Sequence, residues 1–238
     1  MRVLIVDDEE DIREVIRDEL SLGNYELIEA SGGNAALNLI KTGGFDAVIS
    51  DISMPNGSGI DLLRGARALS ADKPAIILVS GYSDVTQDTV FDLGLDCMLS
   101  KPFNINEISD ALIRVTTPIE VRWAATPPDR TSAPLISREF PESFDNPRQG
   151  QNSFALGRGG FRVTASDTRL QPGTPVRFDI RFSQGKLPRI EGTGWVRWSR
   201  HGADPAYGIE FESLSAFCLS QALELVRQPP VGTPYIPK

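Results

Sequence analysis

Through the first half of the sequence, short apolar runs alternate with segments whose apolar residues fall at helical spacing. No other feature constrains the fold as strongly. Residues 3–6 read as a buried strand, and Ile12, Val15, Ile16 and Leu20 then mark one helix face. Residues 25–28 and 35–40 repeat the pair, as do residues 47–49 and the helical Ile60, Leu62 and Leu63. Residues 75–79, bracketed by Pro74 and Gly81, form the strongest strand candidate, and residues 97–99 a shorter one. Ile105, Ile108, Leu112 and Val115 close with a helical stripe. Strands that are apolar throughout and separated by helices predict a parallel sheet covered on both faces. Sites in such sheets form at the carboxyl ends of the strands.

The pattern changes after residue 115. Val176-Arg177-Phe178-Asp179-Ile180-Arg181-Phe182 alternates apolar and charged residues, the period of a half-buried strand. Residues 195–198 and 207–211 are also strand-like, and Gly and Pro turns separate them. This predicts a small antiparallel β-barrel or sandwich, followed by a C-terminal helix over residues 217–226. Charge divides at the same place. Residues 1–115 carry 9 Lys and Arg against 20 Asp and Glu, net −11; residues 116–238 carry 15 against 12, net +3. Only Pro55, Pro74 and Pro102 of the 17 prolines lie in the first part. Two domains of different class follow: residues 1–115, a Pro-rich linker over 116–135, a β domain over 136–228, and a tail over 229–238. Pro118, Pro127, Pro128 and Pro134 argue that the linker is semi-extended and not a regular helix.

Composition closes off several function classes. With 40% hydrophobic and 24% charged residues, the chain reads as soluble and globular. No apolar run approaches the roughly 20 residues of a membrane span, and the N-terminus turns acidic at Asp7 and Asp8, too soon for a signal peptide. One histidine, His201, and two cysteines, Cys97 and Cys218, rule against a histidine-based triad, a multi-histidine metal site and a disulfide framework. A reducing cytoplasm is the expected compartment.

The candidate chemistry lies at the predicted strand ends. Strand one ends in Asp7-Asp8, strand three in Ser50-Asp51, strand four in Ser80, and strand five in Ser100-Lys101-Pro102. Crowded carboxylates repel one another, and a hard cation such as Mg²⁺ relieves that repulsion with oxygen ligands and retained water. A lysine and a hydroxyl beside them suit phosphoryl oxygens, which leaves one carboxylate as the nucleophile of a phosphoryl transfer. Each piece has a plainer reading. Asp7-Asp8 could cap the following helix, and Asp51 could be a turn residue before Pro55 and Gly57. The combination in one rim is what argues for a site.

With Met54-Pro55, Gly57 and Lys101-Pro102-Phe103 added, residues 1–115 resemble the response-regulator receiver domain of two-component signalling. That resemblance implies a flavodoxin-like (βα)5 fold. It implies that Asp51 accepts a phosphoryl group from a histidine kinase or phosphotransfer protein. Asp8, Asp51 and the backbone carbonyl of Ser53 would hold Mg²⁺, Asp7 would reach it through water, and Ser80 and Lys101 would contact the phosphoryl oxygens. One position departs from the family. Three residues before Lys101, where receivers carry Tyr or Phe as a rotamer switch, stands Met98, a flexible gap-filling side chain. Tyr82, two residues after Ser80, stands near the family's hydrolysis-tuning position; it either shields the phosphoryl group or is a surface loop residue.

Residues 136–226 look like a PilZ domain, a small barrel that binds cyclic di-GMP. The resemblance rests on residues 155–163, Pro172-Gly173, Gly194-Trp195-Val196-Arg197-Trp198 and Tyr207-Gly208-Ile209-Glu210-Phe211. The ligand motif is degraded: Ala155 and Gly157 replace its acid or amide and its serine, while Gly160 remains. A register beginning at Asn152 puts Phe154 at the serine position. The upstream arginine pair is missing, since Arg130, Arg138 and Arg148 lie too far apart. Arg158 and Arg162 have the right separation, but inside expected strands, where it merely puts both on one face. The reading is a degenerate PilZ-like output that binds an unnamed protein, with no DNA or membrane partner and no enzymatic reaction. The alternative is a cyclic di-GMP receptor with Arg158 and Arg162 on the phosphates. Trp195, Trp198 and Tyr207 are contact residues or core, with core favoured for at least two.

Overall fold

The computed structural model describes residues 1–81, 86–144, 153–165, 170–227 and 229–238, of which residues 105, 142 and 143 by backbone alone. The described residues divide into two compact units. One comprises Met1–Thr86, Leu93–Thr117 and Pro230–Thr233; the other comprises Gln87–Asp92, Pro118–Pro229 and Pro234–Lys238.

The first unit holds β1 (Arg2–Val6), α1 (Glu10–Leu20), β2 (Glu26–Ala30), α2 (Gly33–Thr42), β3 (Ala47–Asp51), α3 (Gly59–Leu69), β4 (Ala75–Ser80), β5 (Cys97–Ser100) and α5 (Ile105–Thr116). A short helix, α4 (Gln87–Asp92), lies between β4 and β5 in sequence. The five strands run parallel in the order β2-β1-β3-β4-β5. Successive strand side chains point to opposite faces. Val3, Ile5, Ile49, Ile77 and Val79 therefore form one buried layer with Ile16, Leu20, Ile108 and Leu112 of α1 and α5. Leu4, Val48, Ile76 and Leu78 are fully buried on the other face. Burial on both faces explains why these strands read as continuous apolar runs. An ion pair sits inside the unit: Arg67 donates to Asp96 at 2.5 Å, to the Pro74 carbonyl at 2.9 Å and to the Gly94 carbonyl at 2.8 Å. Asp96 also accepts the Ile76 amide at 2.7 Å, so α3 is tied to the starts of β4 and β5.

The second unit is built on α6 (Ile119–Ala124), β6 (Leu135–Ser143), β7 (Phe154–Leu156), β8 (Gly160–Thr164), β9 (Pro175–Gln184), β10 (Arg189–Arg200), β11 (Ala206–Leu214) and α7 (Ala216–Val226). Its six strands form one sheet in the order β6-β9-β10-β11-β8-β7. The sheet curls into a half-barrel: Phe140 of the first strand reaches Phe154 of the last at 5.9 Å, and Phe154 also packs on Phe144 and Phe182. The apolar side of β9, Val176, Phe178, Ile180 and Phe182, faces this core as its alternation predicts.

Three features correct the expectations for this region. The sheet is mixed, because β6 pairs parallel to β9. A parallel pair needs a long crossover, here the whole β7 and β8 excursion, and no local turn signals it. The linker contains a helix: Pro118 stands at the N-cap of α6, where a missing N–H is no loss. Its Trp123 is fully buried, edge-on to Phe211 at 5.0 Å. The stretch expected to be a tail buries Tyr235 and Ile236.

Candidate functional site

In a parallel sheet all carboxyl ends lie on one edge. Asp7 follows β1, Asp51 ends the central β3, Ser80 ends β4 and Lys101 follows β5. The chain thus delivers two carboxylates, a hydroxyl and an ammonium to one rim. Lys101 Nζ lies 2.6 Å from Asp51 Oδ1 and 3.5 Å from Asp7 Oδ2. Asp7 and Asp51 are buried, whereas Asp8 is exposed. The other carboxylate oxygens are held by the backbone: Asp7 Oδ1 accepts the Glu9 amide at 2.9 Å, and Asp51 Oδ2 accepts the Ser53 amide at 2.5 Å. Ser80 Oγ, also buried, donates to the Gly81 carbonyl at 3.0 Å.

Local structure fixes Asp51 from behind. Ser58 caps α3 by accepting the Asp61 amide at 3.1 Å. Gly59 opens that helix with its α-carbon against the Asp51 carbonyl, where a Cβ would collide. Arg13 of α1 donates to the Asp7 carbonyl at 2.8 Å and to Glu29 at 3.2 Å, which anchors the β1 end. Neither Gly59 nor Arg13 stood out in the sequence. Their signal was only position: one four residues after the Met54-Pro55 pair, the other on the first turns of α1.

Burial lifts the Asp7 carboxyl above the ordinary carboxylate range; the Glu9 amide and Lys101 oppose this, and the Asp51 charge adds to it. Burial works against the Lys101 charge, but the hydrogen bond and charge of Asp51, backed by Asp7, outweigh it and raise its pKa. The rim therefore favours a cation between Asp7 and Asp51. Among the described residues no three metal-ligating side chains already converge on one point. The donor set itself is of hard oxygens, which suits Mg²⁺.

Met98 lies on β5 opposite Leu78 of β4, half-buried. Tyr82, Arg148 and Asn152 fall outside the described residues.

The second unit gathers its polar groups differently. Arg158 is not in a strand, contrary to expectation, but in the turn between β7 and β8; its guanidinium stacks 4.9 Å from the Tyr235 ring centroid. Arg162 is in β8, buried, and pairs with Asp204 at 3.6 Å. Burial lowers the Arg162 pKa, Asp204 opposes this, and nearby Arg200 adds to it. Trp198 and Tyr207 are buried in the core, while Trp195 is half-buried and donates to Glu212 at 3.1 Å. His201 is exposed; Cys97 and Cys218 are free and buried.

Residues 3–113 match the family described as response regulator receiver domain, and this part of the chain is such a domain. The response regulator MprA of Mycolicibacterium vanbaalenii is 36% identical over 121 residues, covering 50% of this chain and 52% of the relative. MprA of Mycobacterium avium is 35% identical over 121 residues, covering 50% and 53%. The chain thus spans about half the length of the curated relatives it matches. Among solved structures, the Thermotoga maritima response regulator TrrA, in complex with Mg(2+)-BeF, is 35% identical with a TM-score of 0.44, covering 48% of this chain and 97% of that one. The Vibrio cholerae chemotaxis response regulator CheY4 is 28% identical with a TM-score of 0.43, covering 48% and 97%. No helix among the described residues is long and apolar enough to cross a membrane.

Proposed function

We propose that the chain is a two-component response regulator of the cytoplasm, phosphorylated on Asp51 by a histidine kinase or phosphotransfer protein. The carrying observation is the Lys101 ammonium held between Asp51 and Asp7 at the carboxyl edge of the sheet. In the transfer, an Asp51 carboxylate oxygen attacks phosphorus, the donor's N–P bond breaks, and the electron pair leaves with the imidazole. Lys101 then pairs with a phosphoryl oxygen, and a rotation of Ser80 Oγ away from Gly81 lets it donate to another. Asp8, Asp51 and the Ser53 carbonyl would hold Mg²⁺, with Asp7 assisting, and the ion would supply charge that offsets the incoming phosphoryl group. Met98 takes the switch position without an aromatic ring, so readout there is by repacking of a flexible apolar side chain.

The second unit is a degenerate PilZ-like output that acts through protein contacts and catalyses nothing itself. Its six-stranded half-barrel and following helix support that reading. The cyclic di-GMP alternative is disfavoured, because Arg158 stacks on Tyr235 and Arg162 pairs with Asp204. Binding to cyclic di-GMP tighter than about 10 μM, roughly −7 kcal/mol, would reinstate it. Incubation with a small-molecule phosphodonor and Mg²⁺ tests the main reading. Wild type gains one acid-stable, base-labile phosphoryl group, and Asp51→Asn gains none while keeping its far-UV spectrum. Label on a carboxylate of Asp51→Asn would move the acceptor elsewhere.

A further inference from the structure

Tyr235 lies in an irregular segment beyond α7, yet it is one of the most completely enclosed side chains of the second unit. The enclosure has the parts of a recognition site. Consecutive amides of the β7–β8 turn donate to consecutive carbonyls of the segment: Arg158 N–H to Pro234 at 3.0 Å and Gly159 N–H to Tyr235 at 2.9 Å. The ring packs against Gly159, where any Cβ would run into it, and a Cβ on Gly157 would meet the Tyr235 carbonyl oxygen. The Arg158 guanidinium lies over the ring, 4.9 Å from its centroid. At the bottom the phenol donates to Glu210 Oε1 at 2.6 Å and accepts from Arg122 Nη1 at 3.2 Å. Glu210 is itself buried and held by Arg197 Nε at 2.5 Å.

A tyrosine that merely fills a core does not need a glycine floor, a cationic lid, a buried carboxylate matched to its hydroxyl and a two-bond backbone clamp. Main-chain hydrogen bonds along an extended segment, with one pocket reading one side chain, are how peptides are recognised. The occupant is joined to the rest of the chain through the exposed Pro230, Val231 and Gly232, the last at φ +81°. We propose that this turn, with Glu210 and Arg122, is a docking site for an extended, tyrosine-bearing segment of a partner protein, and that Pro234–Ile236 occupies it in cis as a tethered competitor. This gives a chemistry to the protein contacts proposed for the output unit, and its test involves no phosphorylation. A short tether holds its occupant at an effective concentration of about millimolar, so a free ligand competes poorly until the tyrosine is removed.

The probe is a fluorescent peptide copying residues 232–238, titrated into the full chain and followed by anisotropy. Tyr235→Ala should bind it at least tenfold tighter than wild type. The same peptide with phenylalanine for tyrosine should bind at least tenfold more weakly, and with phosphotyrosine not at all, because the phosphate would face Glu210. No saturable binding to a Tyr235→Ala chain that keeps its sheet signal in circular dichroism overturns the proposal. So does equal binding of the tyrosine and phenylalanine peptides. Should Tyr235→Ala lose that signal, Tyr235→Phe serves: tighter binding than wild type supports the site, and unchanged binding overturns it.

Discussion

The two units solve the same problem, how to keep charge inside a small protein, by opposite routes. In the α/β unit, Asp7, Asp51, Ser80 and Lys101 each sit at or just beyond a strand's end, and parallel topology alone puts them on one edge. In the half-barrel, Arg122, Arg197, Glu210 and Tyr235 come from a helix, the middles of two strands and an irregular segment. The first arrangement is open to solvent: the Lys101 side chain is 28% exposed, and its ammonium lies between two carboxylates. The second is closed, with Glu210 accepting from Arg197 and Tyr235 in the interior. A charged group at a rim keeps its access to solvent, whereas a buried one makes any unmatched partner costly.

The contrast can be broken by a matched pair of substitutions, one in each unit. Arg67→Ala leaves Asp96 buried without its guanidinium partner and should cost about 3–5 kcal/mol. Trp123→Ala empties the space beside Phe211 and should cost about 3–5 kcal/mol. The three tryptophans, Trp123, Trp195 and Trp198, all belong to the second unit. Urea unfolding followed by tryptophan emission therefore reports that unit, and far-UV circular dichroism reports both. Arg67→Ala should lower only the dichroism midpoint, and Trp123→Ala should lower the emission midpoint of Trp195 and Trp198. Equal shifts by both probes for either variant would mean that the two units unfold as one.

The same contrast explains what the sequence made legible. The rim residues could be placed on one edge from the sequence because each followed an apolar run, and strand ends of a parallel sheet share an edge. The β9 alternation likewise announced its buried face. The buried Arg67–Asp96 pair did not show, since the residues are far apart in sequence and either looks like surface charge. The parallel β6–β9 pairing was hidden for the same reason: a register between distant strands leaves no local pattern. Pro118 was misleading because a proline that forbids a helix interior is favourable at a helix start. Glu210 sat in a strand motif as an ordinary acidic residue, and only the packing of Arg122 and Tyr235 around it gives it a role.

A smaller effect tests how far the rim depends on the helix behind it. Ser58→Ala removes the α3 cap and should cost about 1 kcal/mol, read as a lowered dichroism midpoint in urea. Because Gly59 packs on the Asp51 carbonyl, fraying of this turn should also slow phosphoryl labelling. A cap lost with the labelling rate unchanged would show that Asp51 is held by β3 and the Ser53 amide alone.

The smallest effect concerns a surface cluster of the half-barrel. Arg181 and Arg189 stand directly opposite each other across β9 and β10, an arrangement that is unfavourable for like charges. Asp179 offsets it: Arg189 donates to its carboxylate at 2.8 and 3.1 Å, and Arg181 at 2.8 and 3.3 Å. The Arg189 hydrogen bonds, with Arg181 behind them, hold the Asp179 carboxyl below the ordinary range despite some burial. A carboxyl with a lowered folded-state pKa contributes stability above its unfolded pKa, near 4, and that contribution disappears as pH falls through the folded value. Exposed pairs of this kind contribute about 0.2–1 kcal/mol, since the arginines are partly solvated. Asp179→Asn should therefore lower the emission midpoint slightly at pH 7, and the difference should shrink as pH falls below about 4. Added salt should shrink the difference as well. Arg181→Ala should cost less than Asp179→Asn, because it removes a hydrogen-bond donor together with the repulsion that donor creates. A larger loss in Arg181→Ala would mean that the ion pair outweighs the cross-strand repulsion.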